Sequence, residues 1–182
     1  MTKNKYTGEI KKEILRFADK GVEKLVLARF LDHVAKTEKL NKEVNIDEHI
    51  CSFFVPFDRK TKSIYLGHHI KADSWIPPGG HVNLDEHPAD TVIREFKEEL
   101  DYTITKDQVE TFSLSIKDIS KNPRNPCKMH YDFWYIVHVP TVKFNYLKKE
   151  FYDAYWNTLD EAIAKIEIPM YKEIVRSIND TL

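Results

Sequence analysis

The chain has only two cysteines among its 182 residues, Cys51 and Cys127. Two cysteines cannot form the disulfide framework of a small secreted domain. The sequence also lacks a Cys-x-x-Cys pair, so no local pattern indicates structural zinc or redox exchange. These absences favour a reduced, intracellular setting, and we expect a cytoplasmic protein.

Long apolar runs and an excess of one charge are lacking as well. The first residues, MTKNKYTGEIKKEI, contain no apolar core of a signal peptide. No apolar segment approaches the roughly 18 residues that a membrane-spanning helix needs. The formal net charge is −1, so no overall field attracts nucleic acid or an anionic membrane. We therefore expect neither a membrane nor a nucleic acid as partner.

Two stretches of the chain differ in their apolar pattern. Residues 9–40 carry apolar residues at helical spacing, with a break at Gly21 and a polar opposite side. We expect an N-terminal helical arm over 1–45 that packs on a main domain, 46–182, or on a second subunit, which makes a homodimer plausible. From His49 onward strand-like and helix-like segments are interspersed, which predicts an α/β domain whose sheet is covered on both faces. The expected strands are 49–57, 63–70, 109–119, 129–139 and 151–156, and the expected terminal helices are 159–166 and 170–178.

A dense group of glutamates follows the turn Pro77-Pro78-Gly79-Gly80. Pro88 suits the first turn of a helix, where its missing N–H costs nothing. One helix surface would then be apolar and face a core; its members are Ala89, Val92, Ile93, Phe96 and Leu100. Glu95, Glu98 and Glu99 flank that surface, and Arg94 precedes Glu98 by one helical turn. The pattern predicts a core-anchored helix that presents a fixed acidic cluster.

The non-functional interpretation of this cluster is a solvated helix whose glutamates serve only solubility. Like-charge neighbours on a helix cost only about 0.2–0.5 kcal/mol per pair, so repulsion alone does not decide between the two interpretations. The Pro-Pro-Gly-Gly turn favours the functional one, because two glycines let the backbone approach a phosphate or a metal closely. Crowded carboxylates are typical ligands of a hard cation such as Mg²⁺, which also holds substrate phosphates.

The segment from Gly80 to Tyr102, GHVNLDEHPADTVIREFKEELDY, resembles the signature of the Nudix hydrolase family, G-x5-E-x7-R-E-U-x-E-E-x-G-U with U aliphatic. The matching residues are Gly80, Glu86, Arg94, Glu95, Phe96, Glu98 and Glu99, with Phe96 counted as a tolerated large apolar residue. Asp101 replaces the final glycine, and Tyr102 replaces the last aliphatic residue. Aspartate in a left-handed helix end costs roughly 1 kcal/mol or less, so we expect an altered terminus and retained chemistry.

The resemblance implies a Nudix-like α/β/α sandwich with a mixed β-sheet, plus the N-terminal helical extension. It also implies that Glu95, Glu98 and Glu99 bind Mg²⁺ or Mn²⁺ with help from the carbonyl of Gly79 or Gly80. Arg94 would orient the cluster, and Glu86 would be a supporting carboxylate. Trp75 belongs to a W-x-x-P-G-G lead-in common in the family, and Glu150 occupies a region where many members carry a further carboxylate. Glu98 or Glu99 is the expected general base, with Glu150 as the alternative.

Several other residues are weaker candidates for substrate contacts. His81 directly follows the glycines and could meet a phosphate or a metal. Tyr131 and Phe133 could stack on a base, although aromatic residues in a strand more often belong to a core. Arg124 lies in a basic loop that could recognise a second phosphate, and Cys127 of the same loop would need a better-placed partner to act as a nucleophile.

The resemblance implies hydrolysis of a nucleoside diphosphate linked to another group. The substrates considered are a nucleotide sugar, ADP-ribose, a dinucleotide and a modified nucleoside triphosphate, each a small-molecule partner. One alternative is a non-catalytic module that senses nucleotides on the same scaffold. The complete acidic motif argues against it, because a decayed domain tolerates loss of its glutamates. Another alternative is a pyrophosphohydrolase of RNA 5′ ends, against which the near-neutral charge argues.

Overall fold

The computed structural model describes residues 5–36, 40–120 and 127–181. Its α-helices are α1 (Thr7–Arg16), α2 (Lys24–Lys36), α3 (Pro88–Leu100), α4 (Leu159–Lys165) and α5 (Pro169–Thr181), with 3-10 turns at Phe17–Lys20 and Lys106–Gln108. Its strands are β1 (Glu48–Asp58), β2 (Ser63–His69), β3 (Ser74–Ile76), β4 (Gly79–His81), β5 (Val109–Asp118), β6 (Met129–His138) and β7 (Phe151–Thr158). Within these ranges no helix has both the length and the apolar character of a membrane span.

The strands form one sheet with the order β3-β2-β1-β6-β5, in which β4 also pairs with β1 and β7 pairs with β2. The expected strands 49–57 and 63–70 are present as β1 and β2, which pair antiparallel as a hairpin with Phe57 opposite Ile64. β4 is antiparallel to β1, with Cys51 opposite His81. The predicted α/β class, with a mixed sheet and N-terminal helices, is confirmed.

The chain divides into two compact units. The first contains Met1–Phe53, Gly79–Val92 and Thr111–Tyr135, and the second contains Phe54–Pro78, Ile93–Glu110 and Ile136–Leu182. Four elements, β1, α3, β5 and β6, contribute residues to both units. The division into an arm, 1–45, and a domain, 46–182, stays a prediction.

The core of the first unit joins the N-terminal arm to β6. Gly21 ends the first arm segment in the left-handed conformation, with φ 77°, as the predicted break requires. Phe17 and Phe30 pack edge-on against Phe133, with ring centroids 6.0 and 5.4 Å away. The arm therefore buries Phe17 and Phe30 against β6, whereas Leu25 of α2 is 69% exposed.

A buried carboxylate gives the same unit a polar anchor. Glu13 of α1 is only 8% exposed. It accepts hydrogen bonds from the hydroxyls of Tyr135 at 3.0 Å and Thr111 at 3.3 Å. The His87 Nε2 atom lies 3.2 Å from its other oxygen. Burial raises the pKa of the Tyr135 hydroxyl well above its usual range, and Glu13 adds to the effect, so this group stays protonated and donates.

The core of the second unit is a group of aromatic rings around Phe144. Its ring contacts Tyr65 at a centroid distance of 4.9 Å and Phe96 of α3 at 5.5 Å. Trp156 of β7 lies 5.6 Å away. Phe54 stacks on Phe96 at 5.2 Å. The C-terminal half of α3 is therefore held by aromatic packing on the strands of its own unit.

His33 of α2 is a buried titratable group in the first unit. Its ring stacks on Tyr131 with centroids 3.9 Å apart. Burial lowers the pKa of His33 from 6.5 to about 4, the nearby His49 lowers it further, and Asp32 partly opposes both. Glu48 lies 3.9 Å from Nδ1 but is half exposed, so water screens the charge that would favour a protonated ring.

We expect replacement of Glu13 by alanine to lower the free energy of unfolding by about 1–3 kcal/mol, because the buried Tyr135 hydroxyl, the Thr111 hydroxyl and His87 lose their shared acceptor. Urea unfolding followed by circular dichroism measures the change. Glu9, exposed on the same helix, gives the matched control, and Glu9→Ala should change stability by about 0.5 kcal/mol or less. Equal effects of the two substitutions would contradict the anchoring role of Glu13.

We expect stability to fall as the pH drops from 6.5 towards 4. In that window the unfolded chain protonates His33 while the folded chain does not, so protons favour unfolding. The full contribution of this one group is roughly 3 kcal/mol. His33→Phe keeps the stacked ring and removes the titration, so it should flatten the pH dependence of the urea midpoint between about pH 7 and pH 5. An unchanged slope would show that His33 is not its source.

Candidate functional site

Helix α3 begins at Pro88 and ends at Leu100, as the sequence predicts. Val92, Phe96 and Leu100 are fully buried on its apolar side. Asp101 follows with φ 50°, so it takes the left-handed conformation for which the motif has glycine. Its carboxylate accepts a 2.6 Å hydrogen bond from Lys97, which lowers the pKa of Asp101. The terminus is thus altered in sequence and retained in backbone shape.

The polar side of α3 carries the predicted acidic cluster. The Arg94 Nη1 atom lies 2.7 Å from Glu95 Oε1 and 3.4 Å from Glu98 Oε2. One guanidinium therefore holds two carboxylates, at the i, i+1 and i, i+4 spacings. Glu98 is 55% exposed at its side chain, whereas Glu99 is 4% exposed and points towards the protein. The cluster thus presents one accessible carboxylate, one half-buried and one buried.

Glu150 reaches this helix through a short turn. The Leu147 amide donates a 2.7 Å hydrogen bond to the Glu99 carbonyl, and the Glu150 amide donates to the Leu147 carbonyl at 2.9 Å. The turn is therefore attached to the last helical residues of α3. The Glu150 carboxylate lies 3.4 Å from Lys71 Nζ and 3.7 Å from His69 Nε2. These contacts fix the side chain that the sequence offered as an alternative base.

The tautomer of His69 follows from its backbone contacts. Its Nδ1 accepts hydrogen bonds from the amides of Lys71 and Ala72, both at 3.1 Å. The ring proton therefore resides on Nε2, the atom that faces Glu150. Burial lowers the pKa of His69, although Glu150 partly opposes the shift. A neutral imidazole N–H is thus directed at the carboxylate.

Glu86 supports the loop that enters α3. Its Oε2 accepts hydrogen bonds from the Asn83 amide at 2.9 Å and from the Thr91 hydroxyl at 2.8 Å. The Ser52 hydroxyl donates to the Pro88 carbonyl at 2.8 Å. These bonds join the loop before α3 to the first turn of the helix. The structure gives the predicted supporting carboxylate a positioning role within the first unit.

Gly79 and Gly80 form most of the short strand β4, opposite Phe53 and Ser52 of β1. A Cβ atom at Gly79 would lie 2.5 Å from the Ser52 carbonyl oxygen. A side chain there would displace backbone, so strand pairing alone requires glycine at this position. The predicted contact of either carbonyl with a metal stays a prediction.

Trp75 lies in a group that we call the Trp75 platform, made of three rings on β2, β3 and β7 and a lysine at the end of α4: His68, Trp75, Tyr155 and Lys165. The rings of His68 and Trp75 stack with centroids 5.4 Å apart. Tyr155 meets Trp75 edge-on at 5.0 Å. Lys165 Nζ lies 4.4 Å from the Tyr155 ring centre and 5.5 Å from that of Trp75. The platform combines ring faces with a cation at the surface of the second unit.

The remaining aromatic candidates for substrate contacts, Tyr131 and Phe133, are buried in the core. Tyr131 is buried against His33 and Phe30, and Phe133 is fully buried against the arm. Core packing therefore accounts for both rings, and the structure does not support them as base-stacking residues. Arg124 lies outside the described residues.

His81 belongs to a set of four residues that sequence reasoning did not connect. The set, named here the His/Cys set, consists of His49 of β1, His81 of β4, Cys127 and His130 of β6, and its potential ligand atoms all lie within 4.8 Å of one another. The Cys127 Sγ and His81 Nε2 atoms are 3.9 Å apart. Burial lowers the pKa of His130 to about 3 and also lowers that of His49, so both rings are neutral at pH 7.

The described residues contain one other close group of metal-ligating side chains, Cys51, His130 and Asp132. The carboxylates of Glu95, Glu98 and Glu99 do not converge to the same degree within this part of the chain. The Arg94 guanidinium lies against both Glu95 and Glu98 and supplies positive charge to the two carboxylates.

Comparison with known proteins identifies a family model that matches the sequence and solved structures that share the fold. A family model described as NUDIX domain matches residues 47–177. No curated protein matches the sequence. The dihydroneopterin triphosphate pyrophosphohydrolase of E. coli has a similar structure, with a TM-score of 0.63 and 15% identity over 70% of this chain and 92% of that one.

Two further solved structures share the fold. An Ap4A hydrolase of C. elegans has a TM-score of 0.55 and 20% identity, covering 72% of this chain and 96% of that one. The MutT protein of Methanosarcina mazei Go1 has a TM-score of 0.61 and 16% identity, covering 74% and 95%. At these identities the likeness establishes the fold.

Proposed function

This chain belongs to the NUDIX family, and on that premise we propose that it hydrolyses the diphosphate linkage of a nucleoside diphosphate joined to another group, with Mg²⁺ or Mn²⁺ as the required ion. Pyrophosphate hydrolysis in general is the chemistry of this family. The observation that carries the proposal is the intact acidic side of α3, where Arg94 holds Glu95 and Glu98 beside the buried Glu99.

The donor chemistry of this helix suits a hard divalent ion. Glu95, Glu98 and Glu99 offer only carboxylate oxygens, which Mg²⁺ and Mn²⁺ prefer, and the proposal adds the carbonyl of Gly79 or Gly80. Such an ion, when bound, neutralises the diphosphate and stabilises charge on the departing phosphate. The aromatic packing of Phe96 on Phe54 and Phe144 keeps the helix from yielding to carboxylate repulsion.

We assign the general base to Glu98. It is the most exposed carboxylate of the cluster, so water can reach it, and Arg94 orients it from one side. The base takes one proton from the attacking water as the water oxygen bonds to phosphorus. Glu99 is buried, which suits a ligand better than a base. Glu150 stays the alternative base, held in place by Lys71 and His69.

The Trp75 platform supports a nucleotide as the substrate. A flat base gains from stacking on Trp75 or Tyr155, and Lys165 adds a positive charge near the rings. The names of the E. coli and C. elegans neighbours also describe phosphate-chain substrates with ring systems, dihydroneopterin triphosphate and Ap4A. A non-catalytic nucleotide sensor and an RNA 5′-pyrophosphohydrolase are the competing functions, and a homodimer stays a proposal.

We expect Glu98→Gln to lower turnover at least about 10²-fold, because the substitution removes both a proton acceptor and a metal ligand. The measurement is release of phosphate or nucleotide from a panel of nucleotide sugars, ADP-ribose, dinucleotides, modified triphosphates and 5′-triphosphorylated RNA, with and without Mg²⁺ or Mn²⁺. Asp101→Asn removes one negative charge just beyond the same helix and should leave turnover within about threefold.

Three results would contradict this function. Absence of any Mg²⁺- or Mn²⁺-dependent turnover, together with nucleotide binding, would favour the sensor. Equal losses in Glu98→Gln and Asp101→Asn would show a general charge effect. Turnover of RNA alone would identify the other alternative. The label position after reaction in ¹⁸O-water identifies the phosphorus that is attacked.

We expect Trp75→Ala to raise KM about tenfold with little change in kcat, because loss of a stacking surface weakens binding without touching the reacting atoms. Trp75→Phe keeps a ring and should retain most of the affinity. Steady-state kinetics on the best substrate of the panel measures both variants. A fall in kcat at constant KM would exclude a stacking role for Trp75.

A further inference from the structure

The His/Cys set differs from the acidic cluster of α3 in its donor atoms, and only His81 of its four members lies within the segment Gly80–Tyr102, directly after Gly80. Three imidazoles and one thiol meet there: His49 comes from β1, His81 from β4, and Cys127 and His130 from the start of β6 and the residues before it. The ring centroids of His49 and His81 are 4.8 Å apart, and those of His49 and His130 are 5.0 Å apart. All four residues belong to the first compact unit.

Two imidazoles of this set, those of His49 and His130, have buried ring nitrogens that a ligand could reach. His49 Nδ1 lies 2.9 Å from the Asn45 carbonyl oxygen, an atom that can only accept, so Nδ1 carries the proton. The lone pair of His49 is then on Nε2. Among the described residues neither His49 Nε2 nor His130 Nε2 has a hydrogen-bond partner, although both atoms are buried. A buried ring nitrogen without a hydrogen-bond partner costs about 1–3 kcal/mol, so two such atoms in one cluster point to a ligand between them.

We propose that His49, His81, Cys127 and His130 bind one zinc ion as a four-ligand structural site. Three nitrogens and one sulfur form a donor set that Zn²⁺ accepts in tetrahedral geometry, with bonds of about 2.0–2.3 Å. Such bonds place neighbouring ligand atoms about 3.3–3.8 Å apart, close to the 3.9 Å between Cys127 Sγ and His81 Nε2. The thiol of Cys127 releases its proton to water as the Zn–S bond forms.

The contact of His49 with Asn45 is what a zinc-bound histidine requires. A ligating imidazole commonly donates its second N–H to a backbone carbonyl, which orients the ring and selects the tautomer. The site would also join three separate segments, β1, β4 and the chain at β6. Because β4 carries Gly79 and Gly80 immediately before His81, zinc would stiffen the glycine pair that the proposed function uses.

The donor types separate this ion from the one proposed for α3. Nitrogen and sulfur ligands favour zinc, whereas Mg²⁺ and Mn²⁺ favour the carboxylates of α3. The purified full-length protein should therefore hold one zinc per chain after dialysis against excess Mg²⁺, measured by plasma mass spectrometry. Cobalt in place of zinc should produce the charge-transfer absorption of a Co²⁺–thiolate bond together with the intense visible bands of tetrahedral Co²⁺.

Matched cysteine variants decide which residues bind the ion. Cys127→Ser should abolish the thiolate band and weaken zinc binding at least about tenfold, and His130→Asn should weaken it similarly. Cys51→Ala should leave both unchanged, since Cys51 belongs only to the group with Asp132. Glu98→Gln should also keep its zinc, so failure of the hydrolase proposal and failure of the zinc proposal give different results.

A measurement on the unsubstituted protein covers the case in which the variants do not fold. Zinc should protect Cys127 from alkylation, detected on its peptide by mass spectrometry, and a strong chelator should restore the reaction and lower the Tm. Three results would overturn the proposal: no zinc uptake by the unsubstituted protein, a cobalt spectrum without a thiolate band, or loss of that band in Cys51→Ala but not in Cys127→Ser.

Discussion

Burial of one side of α3 is the constraint on which the candidate site depends. Val92, Phe96 and Leu100 are withdrawn from water, and Phe96 stacks on Phe54 and contacts Phe144. Apolar burial of this kind contributes about 1.5–3 kcal/mol per large side chain, well above the few tenths of a kcal/mol that each carboxylate pair opposes. The helix therefore stays folded and packed although its other side is acidic. Without that packing, repulsion and solvation would leave the glutamates free to separate.

Electrostatic balance at the same helix comes from single, well-placed groups. Arg94 neutralises part of the charge on Glu95 and Glu98, while Lys71 lies against Glu150 on the neighbouring turn. Glu99 is buried. The carboxylates therefore differ in exposure, because Glu98 meets water while Glu99 is withdrawn from it. The overall charge of −1 is irrelevant to this arrangement, which is local.

Sequence reasoning succeeded where structure follows from neighbours along the chain. The start of α3 at Pro88 and the left-handed Gly21 were both predictable from local backbone preferences. Prediction from the sequence did not identify which face of β6 is covered by other parts of the protein. Alternation along a strand shows which residues share a face, but not what packs on that face. Tyr131 and Phe133 were therefore offered as a stacking surface, and the arm instead buries them. The central position of Phe144 in the aromatic core of the second unit could not be predicted, because this residue lies outside the helices and strands and belongs to no periodic pattern.

The acidic motif follows from residue spacing alone, because Arg94, Glu95, Glu98 and Glu99 are neighbours on any helix with 3.6 residues per turn. The meeting of His49, His81, Cys127 and His130, in contrast, is a consequence of the fold. No local periodicity relates residues on separate strands; their distances are set by strand pairing, which depends on packing throughout the unit. The absence of a Cys-x-x-Cys pair therefore excludes a zinc site of contiguous ligands, and not one that a sheet assembles from four separate positions.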